Sequence, residues 1–93
     1  YDFADAARKE LPLKAAVEQI DVGGPTMLRA TAKNFHSMLV VPDPGFYRRV
    51  QEELADNGMM VTLALRKELA AETFRRISRY DGLIADYLFS HED

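Results

Sequence analysis

The chain has 93 residues, 47% of them hydrophobic and 29% charged, which fits one folded unit rather than a disordered or fibrous segment. Cysteine is absent, excluding disulfides, thiolate nucleophiles and thiolate metal sites. With 12 Lys and Arg against 15 Asp and Glu the net charge is −3, which argues against nucleic acid as a partner, and the apolar runs are far too short to span a membrane.

Leu13, Ala16, Val17 and Ile20 recur at helical spacing after Pro12 and predict a short first helix, which the paired glycines Gly23-Gly24 should stop. A second helix is expected to restart at Pro25, whose fixed φ and missing N–H suit a first helical position. Its apolar stripe is Met27, Leu28, Thr31, Ala32 and Phe35, and its opposite face carries Thr26, Arg29, Ala30 and Lys33. The run Met38-Leu39-Val40-Val41, ended by Pro42-Asp43-Pro44-Gly45, predicts a strand buried on both faces. Asp43 with Pro44 should cap a third helix carrying Tyr47, Val50 and Leu54, and Asn57-Gly58 should end it. Thr62 is the expected N-cap of a long fourth helix with Leu65, Leu69, Ile77, Ile84 and Leu88 inward, interruptible at Gly82 for about 1 kcal/mol relative to alanine.

A strand buried on both faces needs neighbours for its backbone groups, and no second convincing strand is present. The expected chain is therefore mostly helical with about one β-strand, the later part of a parallel α/β sheet whose other strands lie upstream or in a second chain. Arg75, Arg76 and Arg79 lie among Glu68, Glu72 and Asp81 and read as a solvated helix face. His36 and His91 are isolated and make no metal site.

The distinctive stretch runs from Ile20 to Asn34. Two glycines admit close approach to the main chain, and the N–H groups opening the next helix lack intrahelical acceptors and favour carbonyls or anions. Asp21 can accept hydrogen bonds from ligand N–H groups, while Lys33 lies on the polar face about two turns along. By pattern alone, the same Gly-Gly-Pro is also an ordinary loop between helices.

Asp21-Val22-Gly23-Gly24-Pro25-Thr26-Met27-Leu28-Arg29, continued by Ala32-Lys33-Asn34, closely resembles a signature of the inosine-monophosphate (IMP) cyclohydrolase domain found in bifunctional purine-biosynthetic enzymes that also carry an aminoimidazole-carboxamide ribonucleotide transformylase. Tyr1-Asp2-Phe3, Val40-Val41, Asp43-Pro44, Tyr47, Tyr80-Asp81, Ile84-Ala85 and Tyr87-Leu88 extend the similarity over the whole chain, with Asp2 where the family has proline. The resemblance implies that residues 1–93 are the C-terminal half of a methylglyoxal-synthase-like α/β domain, a parallel sheet with flanking helices. The implied reaction closes the formylated aminoimidazole-carboxamide ribonucleotide (FAICAR) to inosine monophosphate with loss of water, with no metal or redox cofactor. Carried over, Asp21, Lys33 and Tyr1 are the expected catalytic residues: Asp21 accepts the N–H of the reacting amide, Lys33 stabilises the oxyanion or acts as the acid, and Tyr1 orients the base edge. Val22, Gly23, Gly24 and Asn34 are the expected substrate-binding residues.

The implied partners are the purine ribonucleotide, the upstream half of the domain, which carries the phosphate grip, and a second copy in a cytoplasmic homodimer. The fragment alone is expected to be inactive. The alternative is a helical protein-interaction module that dimerises through its lone strand. A helix-turn-helix nucleic-acid binder around Arg48-Arg49 or Arg75-Arg76 ranks last because of the acidic balance.

Overall fold

Helix follows helix in the computed structural model, which describes residues 2–91. Five α-helices are formed among them: α1 Asp2–Arg8, α2 Leu13–Val17, α3 Gly23–Lys33, α4 Tyr47–Asp56 and α5 Leu63–Ser90. A 3₁₀ turn, Pro44–Phe46, leads into α4. None of the described helices is long and apolar enough to cross a membrane.

The local signals at α4 and α5 act as their chemistry dictates. The Asp43 carboxylate accepts the Gly45 N–H at 2.7 Å, so it caps the 3₁₀ turn rather than α4 itself. Gly58, at φ +61°, takes the left-handed conformation that terminates α4 beyond Asn57. The Thr62 hydroxyl oxygen accepts the Leu65 N–H at 3.2 Å and donates its own proton to the Glu53 carboxylate, fixing the start of α5. Gly82 does not interrupt α5, which runs unbroken for 28 residues, about 42 Å at the α-helical rise.

Three sequence expectations are corrected. Residues 38–41 form no strand among the described residues: the segment runs as irregular chain after the tight turns at 34–37, and Val40 is buried at 3% exposure by packing against helices rather than by a sheet. A short apolar run is equally compatible with a core loop when helices supply the cover. The proposed lone strand, on which the interaction-module alternative relied, is thus not formed here. Secondly, α3 begins at Gly23 rather than Pro25, so the glycines open a helix instead of separating two. Thirdly, Met27, Tyr47 and Leu88 are not core positions, at 73%, 55% and 47% exposure.

Helix α1, for which the sequence offers no stripe, exists because its inward residues meet distant aromatics. Phe3 is fully buried, edge-on to Tyr80 and Tyr87 of α5 at centroid distances of 6.4 and 5.2 Å. With Ala6, Ala16 and the half-buried Leu13, Ile20 and Ile84 these form one apolar cluster. A second cluster gathers Ala32, Val40, Val50, Leu65, Leu69 and Ala70, with Leu28, Phe35 and Leu54 against it. Both are strung along α5. The radius of gyration, 16.5 Å, exceeds the roughly 12 Å of a compact domain of this length. The most extensive helix packing is α3 on α5.

Candidate functional site

The start of α3 lies between residues of the two clusters: Ile20, just before it, packs in one, and Leu28 and Ala32, further along it, in the other. Asp21 is exposed, and one of its oxygens, Oδ1, accepts the Gly24 N–H at 2.9 Å. That bond supplies the acceptor an opening helical turn lacks, and explains why the helix begins ahead of Pro25. Neither Gly23 nor Gly24 has a positive φ, so the pair is not there for a left-handed turn. The need at Gly24 is space, because a Cβ there would stand 2.5 Å from Asp21 Oδ2, whereas a Cβ on Gly23 meets nothing within 4 Å.

The main-chain N–H groups of Val22 and Gly23 have no acceptor among the described residues. Pro25 has no N–H, and the Thr26 N–H and hydroxyl both donate to the Val22 carbonyl, at 3.2 and 2.8 Å. Two donors on exposed residues and one carboxylate oxygen, Asp21 Oδ2, therefore stand without hydrogen-bond partners within three consecutive residues. Such a set can hold a planar group carrying both a carbonyl and an N–H.

Two tertiary contacts hold this corner against α5. The Asp21 N–H donates to the Tyr80 hydroxyl at 2.8 Å, and Arg29 pairs with Asp81 at 3.2 Å.

The structure does not bring Lys33 to Asp21. Lys33 is the last residue of α3, about 15 Å from Gly23 at the α-helical rise and about two turns beyond Pro25. Its ammonium is exposed and has no ion-pair or hydrogen-bond partner among the described residues. Asn34, next to it, ends the helix with its main chain: its carbonyl accepts the N–H groups of Ser37 and Met38 at 3.1 and 2.9 Å. Thr26, Arg29, Ala30 and Lys33 are all exposed along one side of α3, the track that joins the two ends. Tyr1 lies outside the described residues.

Two clefts lie elsewhere. One of about 500 Å³ is lined by Leu28, Asp43, Thr73, Arg76, Ile77 and Arg79 among others, but its cations are already engaged. Glu72 accepts from Arg75, Arg76 and Arg79 at 3.0, 3.1 and 3.3 Å, and Arg76 also donates to Asp43 at 3.0 Å. The Arg76 hydrogen bond, then that of Arg75, holds Glu72 below its usual carboxylate range, and the Gly45 N–H followed by Arg76 does the same for Asp43. The other cleft, about 630 Å³, lies between α1 and the end of α5 against Ala4, Tyr87 and His91. No group of three or more His, Cys, Asp or Glu able to hold a metal occurs among the described residues.

Comparison with known proteins matches residues 31–93 to the family described as AICARFT/IMPCHase bienzyme. The chain belongs to the AICARFT/IMPCHase bienzyme family. It is 41% identical over 93 residues, all of the chain, to the bifunctional purine biosynthesis protein PurH of Clostridium beijerinckii, and 51% identical over 88 residues, 94% of the chain, to that of Streptococcus pyogenes. The PurH of Enterococcus faecalis is 46% identical over 89 residues, 95% of the chain. The chain spans 18%, 17% and 17% of these relatives.

In this member of the AICARFT/IMPCHase family, Asp21, Val22, Gly23 and Gly24 come together, and Lys33 and Asn34 stand at the far end of the same helix. One correction concerns Gly24, whose N–H is occupied by Asp21 and is not a free donor for a ligand. Sequence reasoning missed Tyr80 as the partner of the Asp21 main chain. The available signal was that Ile77, Tyr80, Ile84 and Tyr87 share one helical face, but nothing local says which loop that face meets.

Proposed function

We propose that this chain supplies the base-edge side of a purine-biosynthetic site that closes FAICAR to inosine monophosphate. The observation that carries the reading is the presence, at the start of α3, of Asp21 Oδ2, which accepts no hydrogen bond among the described residues, next in sequence to the unaccepted N–H groups of Val22 and Gly23. The substrate's carboxamide offers a carbonyl to such donors and an N–H to such an acceptor. Family membership and the purine-biosynthetic relatives support the same choice of ligand.

Ring closure requires the carboxamide nitrogen to attack the formyl carbon and lose a proton to the former formyl oxygen, which then leaves as water as the formamide nitrogen gives up its own proton and the ring C=N bond forms. Asp21 Oδ2 accepts the nitrogen's proton as the N–C bond forms. The Val22 and Gly23 N–H groups hold the carboxamide carbonyl in the plane of the reaction. Lys33 stabilises the oxyanion or protonates the departing oxygen; with α3 placed as it is, it reaches a ligand that lies along the Thr26, Arg29 and Lys33 side of the helix, with Asn34 beside it. Tyr1 orients the base edge. No metal or redox cofactor takes part. On this reading the chain is the later half of a methylglyoxal-synthase-like α/β domain, completed by an upstream half that grips the phosphate, and the enzyme works as a cytoplasmic homodimer.

The test is turnover of FAICAR by the full-length protein. Asp21→Asn and Lys33→Ala should each lower it by about 100-fold, the scale for losing a positioned acid, base or oxyanion donor. Near wild-type rates in both variants refute the assignment.

A further inference from the structure

We propose that Tyr80 is a positioning residue for the Asp21 carboxylate, acting through the Asp21 main chain and resting on the reading of Asp21 given above. The Tyr80 hydroxyl accepts the Asp21 N–H at 2.8 Å across 59 residues of sequence. Asp21 itself is exposed, so its placement has to come from what it is tied to.

Tyr80 is well suited to that task. The residue is 6% exposed and its ring stands at 88° to the Phe3 ring, so the hydroxyl projects from packed core rather than from the surface. The two bonds on Asp21 act on different parts of the residue: Tyr80 holds the main-chain nitrogen, and the Gly24 N–H holds Oδ1. With both ends fixed, the side-chain torsions have little freedom and Oδ2 is held in place beside Gly24. One residue along α5, Asp81 takes Arg29 of α3 at 3.2 Å, so adjacent residues of one helix grip both the loop and the helix it opens. A proton acceptor misplaced by about 1 Å can lose on the order of 100-fold in rate, which makes such a brace consequential.

The test is a double-mutant cycle of Tyr80→Phe and Asp21→Asn on FAICAR ring closure in the full-length protein. Tyr80→Phe removes the acceptor and keeps the ring. It should lower kcat by about 10-fold or more with KM within about 3-fold, and cost nothing further in the Asp21→Asn background. A purely structural role instead lowers the melting temperature while kcat per folded site stays unchanged, and that result overturns the proposal. So does a double variant in which the two losses multiply, since Tyr80 then acts independently of Asp21. Full turnover by Asp21→Asn removes the site reading and Tyr80's role with it, whereas an impaired Asp21→Asn beside a fully active Tyr80→Phe removes only the latter. If Tyr80→Phe does not fold, 4-aminophenylalanine at position 80 keeps size and polarity with a poorer acceptor. It should likewise reduce kcat, and an unchanged kcat overturns the proposal.

Discussion

The carboxylate of Asp21 fills the space that a side chain on residue 24 would need: a Cβ on Gly24 would stand 2.5 Å from Oδ2, 3.2 Å from Cγ and 3.3 Å from Oδ1. Gly23 has open space at the same position. Neighbouring glycines therefore answer to different demands, and substitution separates them.

Gly23→Ala should stabilise the protein by up to about 1 kcal/mol, because alanine loses less chain entropy on entering a helix. Gly24→Ala should lose that benefit and more, because the added methyl pushes Asp21 off its hydrogen bond, which contributes about 1 kcal/mol. Paired thermal melts check this. Gly24→Ala melting as high as Gly23→Ala would show that the Asp21 side chain yields without cost.

The core assignments separate equally clearly. Leu69→Ala, at a position with no exposure, should cost about 2–5 kcal/mol. Met27→Ser, at 73% exposure, should change stability by no more than about 0.5 kcal/mol in a preparation without bound ligand. Urea titrations measure both. A large loss at Met27 would restore it to the buried stripe that its helical spacing suggests.

Thr62→Ala should destabilise α5 by about 1 kcal/mol, since the hydroxyl both caps the Leu65 N–H and bonds Glu53. Thr62→Ser keeps the capping oxygen and should recover most of that loss. Equal melting temperatures for Thr62→Ala and wild type would contradict the cap.

Acid should weaken the fold through Glu72, Glu68, Asp43 and Asp5. Each is held below its ordinary value, Glu72 chiefly by Arg76, Glu68 by Arg49, Asp43 by the Gly45 N–H and Asp5 by Lys9. A depressed folded-state pKa means that the unfolded chain takes up protons first as pH falls. The stabilisation is therefore complete above the ordinary values of 4.5 for Glu and 3.8 for Asp, and is lost as pH drops through the folded values. Melting temperature should hold from pH 7 to about 5 and then decline, with a shallower decline in Glu72→Gln. All four groups are solvated, so added salt should flatten the same slope.

What could be read from the sequence was what is local. Asp43, the Asn57-Gly58 stop and the Thr62 cap act within a few residues of themselves, and α4 and α5 follow from them. The start of α3 is not legible because Pro25 is a strong first-position residue, while the hydrogen bond from the Gly24 N–H to Asp21 shows only in side-chain geometry. Helix α1 was illegible because Phe3 and Ala6 become inward only when Tyr80 and Tyr87 arrive from the other end of the chain. The run at 38–41 is apolar for a reason the sequence does show, burial, but burial alone does not choose between strand and loop. At the candidate site, the motif tells which residues gather at the start of α3 and that Lys33 lies further along the same helix, but not that the Tyr80 hydroxyl holds the Asp21 main chain.

The seam occupied by Asp21 to Gly24 has a mechanical consequence. Ile20 belongs to one apolar cluster, Leu28 to the other, and α5 is the shaft on which both are mounted. A molecule seated at the start of α3 would touch the stretch of chain that links the two clusters, so its binding energy opposes their separation. A ligand that binds only the folded form should therefore raise the melting temperature, and calorimetry with added inosine monophosphate measures the rise.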